Sequence, residues 1–70
     1  MKASEAHALG DAELVEALRD AREEAFNLRL KHATGELEDT ARLPRTRGDV
    51  ARLLTVARER GIDLDKELRD

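Results

Sequence analysis

The chain has no cysteine, tryptophan or tyrosine, and Phe26 is its only aromatic residue. Without cysteine no disulfide can staple it and no thiolate can hold a metal. That composition fits a reducing cytoplasm. One proline and four isolated glycines leave no Gly-rich phosphate loop and few breaks for a many-stranded sheet or a disordered tract. No apolar run approaches the ~20 residues that cross a bilayer. The opening Met1-Lys2-Ala3-Ser4-Glu5-Ala6-His7 lacks an apolar signal core, so neither a membrane span nor a secretory peptide is expected. The two histidines, His7 and His32, stand far apart with no partners at metal-ligand spacing, and the sole serine, Ser4, has no base to activate it. Nothing here supplies catalysis, a metal site or a cofactor site.

What is present is charge: 41% of the 70 residues are Asp, Glu, Lys or Arg. One small domain, residues 1–70, is the expectation at this length. The net charge of −3 hides an asymmetry. Residues 1–40 hold five basic against ten acidic side chains, whereas residues 41–60 hold six arginines against Asp49 and Glu59. Residues 61–70 return to acidic. An acidic first half and an arginine-rich second half imply two surfaces with different partners.

Leu9-Gly10-Asp11-Ala12-Glu13-Leu14 reads as a helix start, with Gly10 as N-cap, Asp11 and Glu13 at the positive dipole end, and Leu9 and Leu14 at the hydrophobic-staple positions. At about 100° per residue, Leu14, Leu18, Ala21, Ala25, Leu28 and His32 share one stripe. His32 then reads as a packing residue at the hairpin end. Glu13, Glu16, Asp20, Glu23 and Glu24 cover the opposite side. Val15, Phe26, Leu30 and Ala33 form a second apolar strip, with Arg22 and Arg29 between the two. That strip meets a partner or the folded-back chain end, or else widens the core. Arg19 and Glu23 at i,i+4 read as helix support.

Gly35 suits the left-handed position that closes this helix near residue 34. Residues 36–39 carry the turn, and Asp39 or Thr40 caps the next helix. With Thr40 as cap, Pro44 falls harmlessly in the first turn; otherwise regular helix begins near Pro44. Leu43, Thr46, Val50, Leu53, Leu54 and Ala57 face the partner stripe. Arg47 and Arg58 flank one edge, and Arg42, Arg45, Arg52 and Arg60 the other, with the small residues Gly48, Ala51 and Thr55 between them. Such a face lets a helix approach a phosphate backbone while guanidinium forks reach around it. Ile62, Leu64 and Leu68 can form one or two further turns, or the tail is loose. The expected fold is all-α: a long antiparallel two-helix hairpin, helix one about 11–34 and helix two about 40–60, with a short N-terminal segment and a C-terminal tail.

Phe26-Asn27-Leu28-Arg29-Leu30 followed by Ala33-Thr34-Gly35-Glu36-Leu37-Glu38 resembles the central signature of the L twenty-nine family of bacterial large-subunit ribosomal proteins. Arg42-Leu43, then Arg47, Asp49-Val50-Ala51-Arg52-Leu53, Thr55-Val56 and Arg58-Glu59-Arg60 continue the likeness without gaps, as does the opening Met1-Lys2-Ala3-Ser4-Glu5. The resemblance implies a helical hairpin bound to large-subunit rRNA near the polypeptide exit tunnel. It implies a neighbouring large-subunit protein at the tunnel rim, nascent-chain factors docking close by, and a cytoplasmic, ribosomal location. Carried over residue by residue, Arg29, Thr34, Gly35, Arg42, Arg47, Arg52, Thr55 and Arg58 become RNA-facing candidates; Arg45 joins them from the helical wheel alone. Asp39, Pro44 and Gly48 depart from the family's usual residues and remove positive charge from the start of the second helix. The rival class is a protein–protein helical adaptor without RNA. A small helical enzyme of the mutase kind would need a third long helix, for which residues 61–70 are too few.

Overall fold

The computed structural model describes residues 1–68 and contains four helices: α1 (Ala3–Ala8), α2 (Asp11–Ala33), α3 (Arg42–Glu59) and α4 (Leu64–Glu67). The expected hairpin is formed by α2 and α3. Arg42 at the start of α3 reaches Glu24 in the second half of α2, and Arg60 beyond the end of α3 reaches Asp11 at the start of α2. The two helices therefore run antiparallel.

Both long helices close in the same way. Gly35, at φ +78°, and Gly61, at φ +71°, occupy the left-handed position after α2 and α3. Glu36 N–H donates to Lys31 O at 2.8 Å and Gly35 N–H to His32 O at 3.2 Å. Ile62 N–H donates to Ala57 O and Gly61 N–H to Arg58 O, both at 3.0 Å. These are paired Schellman bonds, which satisfy terminal carbonyls that the helix itself cannot. The second one turns Ile62 back onto the core.

The start of α3 differs from either capping expectation. Neither Asp39 nor Thr40 caps it: Ala41 holds the N-cap position with no side-chain bond, and the helix begins at Arg42. Asp39 acts one step earlier, its Oδ1 accepting from Ala41 N–H at 3.1 Å and its Oδ2 from Arg45 at 3.1 Å. Pro44 then stands third in the helix, where its missing N–H would have had no intrahelical partner. The carbonyl its ring would crowd belongs to Thr40, outside the helix.

The seam is aliphatic. Leu14, Leu18 and Leu53 are the largest fully buried side chains, joined by Ala6, Val56 and Ala57 in one cluster; Leu28 and Leu43 are buried toward the turn. Val50, Leu54, Leu9, Ile62, Leu64 and Leu68 pack on that cluster while partly exposed. The tail therefore docks through the three apolar residues named from sequence, with Asp63 Oδ1 capping α4 at Lys66 N–H; residues 69 and 70 lie outside the described residues. His32, expected to pack at the hairpin end, is exposed instead: α2 outlasts its partner there, and the chain leaves toward the turn.

The N-terminal segment is itself helical, which its composition did not announce. α1 lies against α3, burying Ala6 completely and covering Val56, now 2% exposed. Polar bonds clasp it there. His7 Nδ1 is 2.8 Å from Ala3 O and Nε2 is 3.2 Å from Glu59 Oε2, while Arg60 donates to His7 O at 2.8 Å. The Met1 ammonium meets Asp49 at 3.2 Å. Both ring neighbours of His7 are acceptors, so only the imidazolium serves both. The bond to Ala3 O, then that to Glu59, raises the His7 pKa from its ordinary 6.5. A raised histidine pKa stabilises the docked state below 6.5 and ceases to do so as pH climbs through the higher folded value. Amide-exchange protection of α1 is thus expected to fall as pH rises above 6.5. His7→Ala should flatten that dependence; an unchanged profile in the variant would remove His7 as its source.

The Cα radius of gyration is 12.9 Å, against about 11 Å for a compact domain of this length. The extents are 38 × 28 × 14 Å. The molecule is therefore flat and elongated, with α2 and α3 along its length.

Candidate nucleic-acid interface

The hairpin sorts the arginines onto two sides. On α2, Arg19, Arg22, Phe26 and Arg29 recur at i, i+3, i+7 and i+10, so they share one narrow strip. This strip borders a groove between α2 and α3 that Arg47 lines from the other helix, over Ala25, Val50 and Leu68. On α3, Arg58 shares the Arg47 flank by its helical phase and is exposed. Arg42, Arg45 and Arg52 group on the other side, around Pro44 and Gly48. Glu24, which meets Arg42, and Phe26 are about 200° apart on α2, which puts the two groups on opposite faces.

The two groups differ in how their charge is held. Arg42 pairs with Glu24 at 3.0 Å, Arg45 with Asp39 at 3.1 Å, and Arg52 with Asp49 at 3.6 Å. All three are exposed side chains in surface pairs, which are weak and exchange readily for a better anion. Arg22, Arg29, Arg47 and Arg58 form no ion pair with any described residue. The guanidinium of Arg52 lies over Gly48, 3.1 Å from where a Cβ would stand, so the missing side chain lets the fork fold flat along the helix.

The remaining sequence candidates occupy distinct places. Thr34 and Gly35 form the hairpin tip, where the Thr34 hydroxyl lies 3.2 Å from Leu30 O and 3.1 Å from Lys31 O. Thr55 donates to Ala51 O at 2.8 Å and borders a shallow groove with Ala3, His7 and Ala51. The small-residue back of α3, expected to be bare, is thus partly flanked by α1. Arg60, expected with the Arg42 group, is instead tied to Asp11 at 3.1 Å and to His7 O. The expected Arg19–Glu23 pair is not formed; Arg19 donates to Glu67 O and fastens the tail. Arg22, expected between the two apolar strips with its stem along them and not among the RNA-facing candidates, lines this groove; its spacing from Phe26 and Arg29 carries the signal.

Among the described residues no group of three or more His, Asp or Glu is gathered to hold a metal ion, and no helix is long and apolar enough to cross a membrane. Fold and site together define a small helical-hairpin protein with arginine-lined sides.

The comparisons with known proteins make this specific. A family model described as Ribosomal L29 protein matches residues 4–60, and the chain belongs to that family. It is 52% identical over 64 residues to the large ribosomal subunit protein uL29 of Streptomyces griseus, covering 91% of this chain and 86% of that one. It is 50% identical over 66 residues to the protein of the same description from Staphylococcus aureus, covering 94% of this chain and 96% of that one. No solved structure matches it.

Proposed function

We propose that this protein is a structural constituent of the large ribosomal subunit, cytoplasmic within the ribosome, that binds large-subunit rRNA near the polypeptide exit tunnel and supports translation without catalysis. The whole chain, residues 1–70, acts as one domain. The observation that carries this reading is the display of exposed arginines on both faces of a flat molecule, in a chain whose relatives are described as large-subunit proteins.

The mechanism is electrostatic docking. Guanidinium forks neutralise phosphates and release their counterions, which supplies affinity and fixes orientation. Folded RNA is recognised largely by shape and by 2′-hydroxyl and phosphate contacts. Arg29, Arg47 and Arg58 act from one face, and Arg42, Arg45 and Arg52 from the other, exchanging their surface carboxylates for phosphate. Thr34, Gly35 and Thr55 allow close backbone approach at the tip and on the back of α3. Apart from Glu23 on the groove rim, the acidic run of α2 avoids RNA and faces solvent or a basic neighbour, such as another large-subunit protein at the tunnel rim where nascent-chain factors dock.

Sedimentation of cell extract through a high-salt wash tests the proposal. The endogenous protein is expected to travel with large subunits. Recovery wholly apart from ribosomes would overturn the reading and leave the protein adaptor in its place.

A further inference from the structure

The chain's only aromatic residue stands outside its core. Phe26 is 57% exposed and Leu30, one turn on, 52%. Meanwhile the buried cluster is wholly aliphatic. The ring projects from the middle of α2, between helical turns that carry Arg22 and Arg29, with Arg47 facing them across the groove. Leu68 lines part of the groove, yet Phe26 stays exposed in the described chain.

We infer that Phe26 is a stacking platform for an unstacked rRNA base, with Arg22, Arg29 and Arg47 clamping the phosphates on either side of that nucleotide. This deepens the rRNA reading above and rests on it. A flat apolar face rimmed by cations matches the two halves of a nucleotide: the base supplies a π-face for the ring, and its flanking phosphates supply acceptors for the forks. Guanidinium planes can stack on the base as well. An acidic peptide would meet the charge but not, in general, the flat ring. Glu23, the one carboxylate on the rim among the described residues, can accept from an exocyclic amine or a 2′-hydroxyl. Because Phe26 sits mid-helix, its backbone is already fixed before RNA arrives, and little ordering remains to oppose binding.

The test uses the full chain and large-subunit rRNA freed of protein. Phe26→Leu is expected to weaken binding about ten-fold, within the range of one lost base–aromatic stack, while leaving the salt dependence unchanged. Phe26→Trp restores affinity. Arg29→Gln instead lowers the salt slope by about one phosphate's worth. Ultraviolet irradiation of intact subunits should place a nucleotide adduct on Phe26, within the tryptic peptide of residues 23–29. If the parent chain binds rRNA and Phe26→Leu binds equally well, the stacking inference is overturned while the rRNA reading stands, and the ring faces protein. If the parent chain does not bind, both fall. Should Phe26→Leu lose helix content, the Trp variant and the adduct decide: absence of the adduct, or weak binding by the Trp variant, overturns the inference.

Discussion

A chain carrying Leu18→Asp is expected to lose the helical far-ultraviolet circular dichroism of its parent. Leu18 has no accessible surface and lies among Leu14, Leu53, Val56 and Ala57. Truncating a buried leucine costs roughly 2–5 kcal/mol through lost transfer energy and the cavity left behind. Aspartate adds the desolvation of a carboxyl with no cation in the cluster to receive it. A chain of this length commands only about 4–10 kcal/mol of total stability at typical values per residue. The seam cannot absorb the loss elsewhere, because the described residues share one hydrophobic cluster. Nor do the helices keep their full content alone, since most helical stability in proteins comes from tertiary packing of an apolar face rather than from propensity. Glu16→Lys, on the exposed side of the same helix, should leave the spectrum unchanged. A helical spectrum retained by Leu18→Asp would mean that the two helices do not meet along this line.

Arg47→Ala combined with Arg52→Ala should weaken association with large-subunit rRNA and flatten its dependence on salt. The two residues stand on opposite faces, Arg47 beside Phe26 and Arg52 beside Gly48, so the pair samples both halves of the proposed contact. Each phosphate contact contributes roughly 0.7–0.9 to the slope of log affinity against log salt, so the double variant should lose about 1–2 in slope if both arginines contact phosphate. Both side chains are exposed, and Asp49 keeps the Met1 ammonium when Arg52 is removed, so the fold should hold. Binding and slope that match the parent would remove these arginines from the interface.

The long helices could be read from sequence because their signals agree at several levels. Apolar spacing, the Gly10 start, the Gly35 and Gly61 stops and the absence of interior breakers in α2 all point to the same boundaries. Pro44 was ambiguous for a physical reason: its cost depends on where the helix begins, and that depends on a side-chain bond that Asp39 makes to Ala41 rather than to the first turn. α1 was not readable. Six residues with no capping side chain are too few to hold a helix alone, whatever the propensity of their alanines; they are held helical because Ala6 joins the cluster containing Val56 and His7 meets Glu59, contacts separated by some fifty positions.

The arginine pattern was readable as two edges of one helix, but not as two faces of a molecule. The difference came from Arg19, Arg22 and Arg29, which belong to the other helix and join Arg47 only after the hairpin closes. Arg60 misled for the opposite reason, since its wheel position matched the Arg42 group while Asp11 and the His7 carbonyl were nearer.

Few side chains of this flat molecule are buried. Apart from the seam and the underside of α1, the described side chains border their surroundings. A saturation-mutagenesis map of this protein in its working context would therefore read as an outline of its neighbours: positions off the seam that resist change would mark where something else is touching.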